Sequence, residues 1–531
     1  MSVLLIASAA YLSAEFTAEF GRVPPAFLPV GNRPLWHWQL DSMADSPPAR
    51  TLLSIPNDMV LEAEEEDALG ARNVEVLRIP ANLSLGESIL YCITVARIGS
   101  AELQLLFGDT LVRAVPRDGD DVVGIASTNE YYAWSTFDAE REATFAEGLP
   151  TGGTPRDVVC GYFRFADPTL LGETLMRARG NFISALNDYH GERPLSPLPI
   201  AQWLDFGHLQ LYFQSKSRMT TQRAFNNLAA NARSITKSSD DSAKMDAEAN
   251  WFENIPADMK LFAPQYLGRV APTTDKPGGY ALEYLYLSTL SELFVFGRLP
   301  LFGWSRIFAR CDEFLTLAAL YKPETIPTAG PDYLGKSRHR LEAFARTSGV
   351  PLDQEGRFNG RVVPSLLRIL ELADACINAP EPDEYGILHG DFCFSNVLFD
   401  FRSNRVRVID PRGLTFSGEN SIHGDRRYDL AKLSHSVIGR YDQIIAGRYS
   451  FTRAAPLDFT LALPDTGRLR DLEAEYRRSS FGGIRAGSRE DLAMVVMLFV
   501  SMLPLHSDSA QRQEALLANA LRLFLLMDEG A

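Results

Sequence analysis

Tyr385-Gly-Ile-Leu-His-Gly-Asp-Phe-Cys-Phe-Ser-Asn-Val-Leu-Phe-Asp400 is the stretch on which the reading of this chain turns. It sets His389, Asp391 and Asn396 in the spacing H-x-D-x-x-x-x-N, and Val406-Arg-Val-Ile-Asp410 follows after a turn at Arg402-Ser-Asn404. The alternation of apolar residues predicts a hairpin over Val397–Asp410. Its open end would bring Asn396 and Asp410 together. Phosphoryl transfer from ATP needs this set: a carboxylate to orient a hydroxyl and take its proton, and a carboxamide and second carboxylate to hold magnesium against the phosphates. Asp391 suits the first role, and Asn396 and Asp410 the second. His389 is expected to brace the loop through hydrogen bonds. A solvated loop holding these residue types by chance would have no reason to keep the whole spacing, the hairpin and the closing Ile409-Asp410-Pro411.

Upstream, Ser234-Ile-Thr-Lys-Ser-Ser239 reads as a strand carrying Lys237, and Glu248 follows in a helical pattern over Ala243–Phe252. A kinase needs a lysine on the α- and β-phosphates and a helix glutamate to hold it. Together these segments resemble the aminoglycoside phosphotransferase/choline kinase family from about Arg223 to the C-terminus. The resemblance implies a protein-kinase-like α+β fold. It makes Asp391 the catalytic base, Lys237 with Glu248 the phosphate-binding pair, and Asn396 and Asp410 the magnesium ligands. Leu282-Glu-Tyr-Leu-Tyr-Leu287 looks like the hinge, with Glu283 and Leu285 offering backbone groups to adenine. Asp429, in Gly424-Asp-Arg-Arg-Tyr-Asp-Leu430, would brace the catalytic loop. One departure is plain: the stretch Ala224–Arg233 before Lys237 contains no glycine.

The first ~200 residues alternate short apolar runs with helical patterns, the mark of an α/β domain. Val3–Ala7, Thr51–Ile55, Val74–Ile79, Leu103–Phe107, Val122–Ser127 and Val158–Phe165 read as strands. Leu35–Met43, Glu87–Ile98 and about Asp167–Tyr189 read as helices. Pro24-Pro-Ala-Phe-Leu-Pro-Val-Gly-Asn-Arg-Pro-Leu35 lies between the first strand and the first of these helices. Leu85-Gly-Glu-Ser-Ile89, Phe107-Gly-Asp-Thr-Leu111 and Trp203-Leu-Asp-Phe-Gly207 follow in order.

These pieces resemble the MobA-like sugar-phosphate nucleotidyltransferases over residues 1–215. The resemblance implies a Rossmann-like, GT-A-type mixed sheet. Asp109 and Asp205 would hold Mg2+ (or Mn2+), Gly86 would contact the base, and Arg22 and Arg33 would supply positive charge. Two features depart from the family: Pro25 stands where it has a lysine, and Ala7-Ser-Ala-Ala-Tyr-Leu-Ser13 replaces its glycine-rich loop. Without glycine, backbone amides approach phosphates less closely.

At 531 residues the chain is too long for one ordinary core. Two domains are expected, 1–215 and 216–531, the second with an N-lobe over about 222–287 and a C-lobe over about 288–531. The net charge of −15 argues against a nucleic-acid polymer or an anionic membrane as partner. Five cysteines are scattered with no C-x-x-C, and most of them read as buried small hydrophobes in a reducing compartment. The apolar N-terminus lacks a basic flank and reads as a strand. The run Met494–Leu505 is too short to span a membrane. The expected location is the cytoplasm. The two resemblances together imply a bifunctional enzyme. It would use ATP and a second nucleoside triphosphate, CTP or UTP foremost, on a sugar or amino-alcohol acceptor, making an activated precursor for surface polysaccharide. The alternative keeps the kinase and makes the first domain a non-catalytic binding or regulatory module. A homo-oligomer is compatible with either.

Overall fold

The computed structural model describes residues 2–530 except 117–118, 139–143, 149–154, 220–221, 224–225, 231–232, 275–276, 327–330 and 416; for 222–223 and 226–230 it describes the backbone alone. The chain divides into two compact units, Met1–Met219 with Phe296–Arg298, and Thr220–Val295 with Leu299–Ala531.

The first unit is built on a seven-stranded mixed sheet. Its order is Ser196–Pro199, Val122–Thr128, Arg156–Phe165, Glu102–Phe107, Ser2–Ala7, Arg50–Pro56, Val74–Ile79. Arg156–Phe165 runs antiparallel to both neighbours, and the remaining pairings are parallel. Side chains alternate across a strand, so Val3 and Leu5 enter one core while Leu4 and Ile6 enter the other. Both faces are therefore covered, as a largely parallel sheet requires, and the unit is a Rossmann-like α/β sandwich.

The helix expected over Asp167–Tyr189 is two helices, Pro168–Arg177 and Phe182–Glu192. Arg179 and Gly180 take positive φ, and Asn181 caps the second helix by accepting from the Ser184 amide at 2.9 Å. The helix expected at Glu87–Ile98 runs over Leu85–Val95, because Ser84 and Glu87 form a capping box.

The second unit opens with a five-stranded antiparallel sheet that includes Ser234–Ser238, Gly279–Glu283 and Tyr266–Val270, with the helix Ser242–Asn254 beside it. The glycine-free stretch before Lys237 lies mostly outside the described side chains. Residues 284–287, without regular structure, lead into a three-stranded sheet of Ser288–Thr289, Val397–Asp400 and Arg405–Val408. A helical lobe follows. Its apolar run from Met494 lies in the buried helix Arg489–Met502. The lobe also holds a four-stranded sheet of Arg361–Val363, Gly356–Phe358, Asp458–Ala462 and Ser450–Ala455. Among the described residues, no helix is long and apolar enough to cross a membrane. All five cysteines are unpaired.

Candidate active sites

In the second unit the predicted hairpin forms, pairing Val397 with Val408 and Asp400 with Arg405. At its open end the Ile409 amide donates to the Asn396 carbonyl at 3.0 Å. Asp410 then takes the left-handed region, with φ of 57°. Its carboxylate meets Lys237 Nζ at 3.2 Å. Lys237 is buried and also donates to Glu248 Oε2 at 2.6 Å, and Tyr280 Oη donates to the same oxygen at 2.6 Å. Burial favours the neutral amine, but Asp410 and Glu248 outweigh it and keep Lys237 protonated.

Asp391 lies on the loop beneath. Asn396 Nδ2 donates to its Oδ2 at 2.8 Å and to its backbone carbonyl at 3.0 Å. Lys432 Nζ sits 2.8 Å from its Oδ1. Burial pushes this carboxyl up, but Lys432 outweighs it and holds Asp391 below the ordinary carboxylate range. His389 is fully buried, its imidazole pushed down to about 4 by burial. As expected of a brace, it accepts from the Asp391 amide through Nδ1, at 3.3 Å.

The loop hangs on Asp429, whose two oxygens accept from the His389 and Gly390 amides at 2.7 and 2.8 Å. Burial pushes the Asp429 carboxyl up to about 7 in spite of these donors. Removing it strands two buried N–H groups, at about 1–3 kcal/mol each. Asp429→Ala is therefore expected to lower the stability of the second unit by about 2–6 kcal/mol, read from the urea transition assigned to that unit.

Gly413, with φ of 63°, passes against the helix that carries Glu248; a Cβ there would stand 2.0 Å from the Ala247 carbonyl oxygen. Gly413→Ala must displace that helix. A shift of about an ångström in a positioning group costs tenfold to a hundredfold in rate. Steady-state kinetics with varied ATP should show a loss of about that size in kcat/KM.

Glu283 is placed differently. Its side chain accepts from the Gln265 amide at 3.2 Å and faces Arg407 at 3.5 Å, and its own amide donates to the Gln265 carbonyl. Those groups are spent on the sheet, and so is the Tyr284 amide, which donates to the Arg233 carbonyl at 3.0 Å; Leu285 follows in the segment without regular structure.

In the first unit, strand register produces the other cluster. Gln202–Asp205 pairs antiparallel with Thr110–Arg113, opposing Asp205 to Thr110, and Phe206 N donates to the Asp109 carbonyl at 2.8 Å. Asp109 and Asp205 thus line one cavity of about 460 Å³ together with Gly86, Trp134, Trp203 and His208. Burial, then the charge of Asp205, pushes Asp109 up to about 6. Asp205 accepts from Trp134 Nε1 at 3.0 Å and from the Gly207 amide at 2.9 Å, and faces His208 Nδ1 at 3.3 Å. Gly86 is packed tightly; a Cβ would stand 2.3 Å from the Gly180 carbonyl oxygen.

Arg22 and Arg33 are not brought to this cavity. Arg22 pairs with Asp58 at 3.1 Å and lies over the Tyr11 ring; Arg33 faces Asp41 at 3.5 Å and lies over Trp38. Both side chains are more than half exposed, at 63% and 55%.

Among the described residues, no group of three or more His, Cys, Asp or Glu side chains converges as a metal site. Pairs of oxygen donors suffice for magnesium, which takes one or two carboxylates and completes its shell with phosphate oxygens and water. Asn396 with Asp410 has this chemistry, since Asn396 spends its amide nitrogen on Asp391 and its oxygen accepts only a long bond from the Ser395 hydroxyl, at 3.4 Å, that a metal could replace. So do Asp109 and Asp205, whose mutual repulsion a dication would relieve. Lys432, Tyr280, Trp134 and His208 escaped the sequence reading. Lys432 lies three residues after Asp429 and His208 three after Asp205, but a helical offset alone does not mark a site.

Residues 310–459 match the phosphotransferase enzyme family. That span includes Asp391, Asn396, Asp410, Asp429 and Lys432. Residues 310–459 are thus a phosphotransferase-family domain of kinase-like fold. No curated protein matches the chain. Among solved structures, the UTP-bound UGPase of Acinetobacter baumannii is 15% identical, covering 41% of this chain and 92% of its own, with a TM-score of 0.31. HddC of Yersinia pseudotuberculosis is 14% identical over 41% of this chain and 98% of its own, with a TM-score of 0.32. The CTP:phosphocholine cytidylyltransferase of Streptococcus pneumoniae is 10% identical over 41% and 97%, with a TM-score of 0.32.

Proposed function

We propose that the second unit transfers the γ-phosphoryl group of ATP to a hydroxyl of a small molecule, and that the first joins the resulting phosphate to a nucleoside monophosphate drawn from CTP or UTP. The observation that carries the reading is the convergence of buried Lys237 and Glu248 with the half-buried Asp410 in one ion cluster, with Asp391 and Asn396 joined by hydrogen bonds on the adjoining loop. Lys237 would bind the donor phosphates, held by Glu248. Asn396 and Asp410 would hold magnesium, which neutralises phosphate charge. Asp391, kept ionised by Lys432, orients the hydroxyl and takes its proton. In the first unit, Asp109 and Asp205 would hold the metal at the triphosphate. The product would be an activated sugar or alcohol of the kind surface-polysaccharide synthesis consumes. One domain makes what the other uses, which is why both sit on one chain.

A second reading is favoured by a specific observation: Arg22 and Arg33 are engaged outside the cavity, and the loop after the first strand has no glycine. In it the first unit binds a nucleotide or product without turning it over. Supplying a pre-phosphorylated acceptor with CTP or UTP and assaying pyrophosphate separates the two. Release supports the bifunctional enzyme, and nucleotide binding without release supports the binding module.

A further inference from the structure

A second cavity in the second unit, of about 570 Å³, is lined by none of Lys237, Glu248, Asp391, Asn396 and Asp410. Its walls nevertheless come from the segments that carry them. Phe252 lies one turn beyond Glu248 on the helix Ser242–Asn254. Its ring stands 5.7 Å from that of Tyr280, whose hydroxyl donates to Glu248, and stacks on Tyr266 at 6.1 Å. Arg405 and Arg407 take alternate positions on the strand that delivers Asp410, so they share one face, while Val406 and Val408 are buried on the other. Both reach the segment that follows the helix. Arg405 lies over the Phe262 ring at 5.9 Å, and Arg407 Nη2 donates to the neighbouring Ala263 carbonyl at 2.8 Å. Lys260 lines the same cavity, and Ile255, Leu261 and Pro264 supply apolar surface.

Charge in this lining is unevenly spent. Of its two carboxylates, Glu253 is held by Arg269 at 3.0 Å and by the Tyr266 hydroxyl at 2.7 Å, and Glu283 by Arg407 and the Gln265 amide. Lys260 donates to the Glu253 carbonyl at 3.4 Å, and neither it nor Arg405 has a carboxylate partner among the described residues. Arg407 Nε is buried with no hydrogen-bond partner among them. A buried donor left unpaired is costly, and an acceptor entering the cavity relieves that cost.

We propose that this cavity is an effector site for a small aromatic anion. The ring of the anion packs against Phe252 and Tyr266. Its carboxylate or phosphate oxygens meet Arg405, Arg407 and Lys260, and its occupancy changes the affinity of the second unit for Mg-ATP. The coupling runs through direct contacts: an occupant bears on Phe252, which packs on the ring of Tyr280, and on the strand that sets Asp410. Two sites coupled in this way change each other's affinity by the same factor. The binding site stands on the cavity alone, and the coupling rests on the kinase reading of this unit.

The test uses the full chain with Mg2+ and a saturating non-hydrolysable ATP analogue, so that the donor-phosphate site is filled. Calorimetric titration then compares naphthoate, naphthyl phosphate, naphthylmethanol and naphthylmethylamine, and in parallel benzoate, phenyl phosphate, benzyl alcohol and benzylamine. In at least one series an anion is expected to bind about tenfold or more tightly than both the alcohol and the amine. The carboxylate and phosphate arms tell which anion is meant. In Lys260→Gln/Arg405→Gln that preference should vanish. Lys260→Gln, at an exposed position, is the milder variant, with unliganded melting reporting the folding of each. With the preferred anion bound, the affinity for the ATP analogue should shift by about threefold or more in the wild type and stay unchanged in the double variant. No binding by any anion, equal or tighter binding of the alcohol or amine, a preference that survives in the folded double variant, or an unmoved affinity for the analogue would overturn the proposal. Absence of magnesium-dependent binding of the analogue would instead defeat the kinase reading, and titration of the anions without it would still decide the binding site.

Discussion

Replacing Asp391 by asparagine is expected to lower kcat for ATP-dependent phosphorylation by about 10²–10⁴-fold, the usual contribution of a general base. The affinity for Mg-ATP should change little. Asparagine is nearly isosteric and can still accept from Asn396, so the loop, hung on Asp429, keeps its shape. What it loses is the capacity to take a proton, and the partner of Lys432. Because Lys432 holds the Asp391 carboxyl below its ordinary range, the acid limb of the wild-type pH–rate profile should lie on the acid side of an ordinary aspartate. Coupled ADP release with varied pH measures both. A loss of less than threefold in kcat would remove Asp391 from the chemistry.

The second large effect is expected in the first unit, where it couples activity and stability in opposite senses. Asp109→Asn should lower the yield of nucleotidyl product by about 10²–10³-fold, the scale of losing a group that stabilises transition-state charge. The same change should stabilise the unit. Burial and Asp205 raise the folded pKa of Asp109 to about 6, above its ordinary value of 3.8. The folded state therefore binds this proton more tightly than the unfolded chain does, so stability is greatest below 3.8 and falls as pH rises to about 6. Asparagine removes that slope, and above pH 6 the variant should be the more stable by up to about 3 kcal/mol. Magnesium should stabilise the wild type and not the variant. Thermal melting of the transition assigned to the first unit, with and without the ion, checks the sign.

The parts legible in the sequence were those with local periodicity. Continuous apolar runs marked the strands of the first sheet, since both faces of Val3–Ala7 are apolar and meet a core. The hairpin after Asn396 was legible from its alternation instead. Misses came where a local signal was read too weakly or was absent. Arg179-Gly180-Asn181 interrupts an otherwise continuous apolar pattern, and only the positive φ at two of these residues shows that the helix breaks there. The strands Gly356–Phe358 and Asp458–Ala462 pair across a hundred residues, a separation no local pattern encodes. Arg22 and Arg33 had the right charge, but Asp58 and Asp41, distant in sequence or unremarkable in it, claim them.

The central claim is that one chain both phosphorylates an acceptor and activates the product. It is tested most directly by mass spectrometry of the products formed from Mg2+, ATP, CTP or UTP, and a pool of hydroxyl acceptors. The account predicts a phosphorylated acceptor with ATP alone, and its nucleotidyl derivative with pyrophosphate when the second nucleotide is added. The first product should be lost in Asp391→Asn, and the second alone in Asp109→Asn. Formation of the phosphorylated acceptor with no nucleotidyl derivative, even from a pre-phosphorylated acceptor, would contradict it.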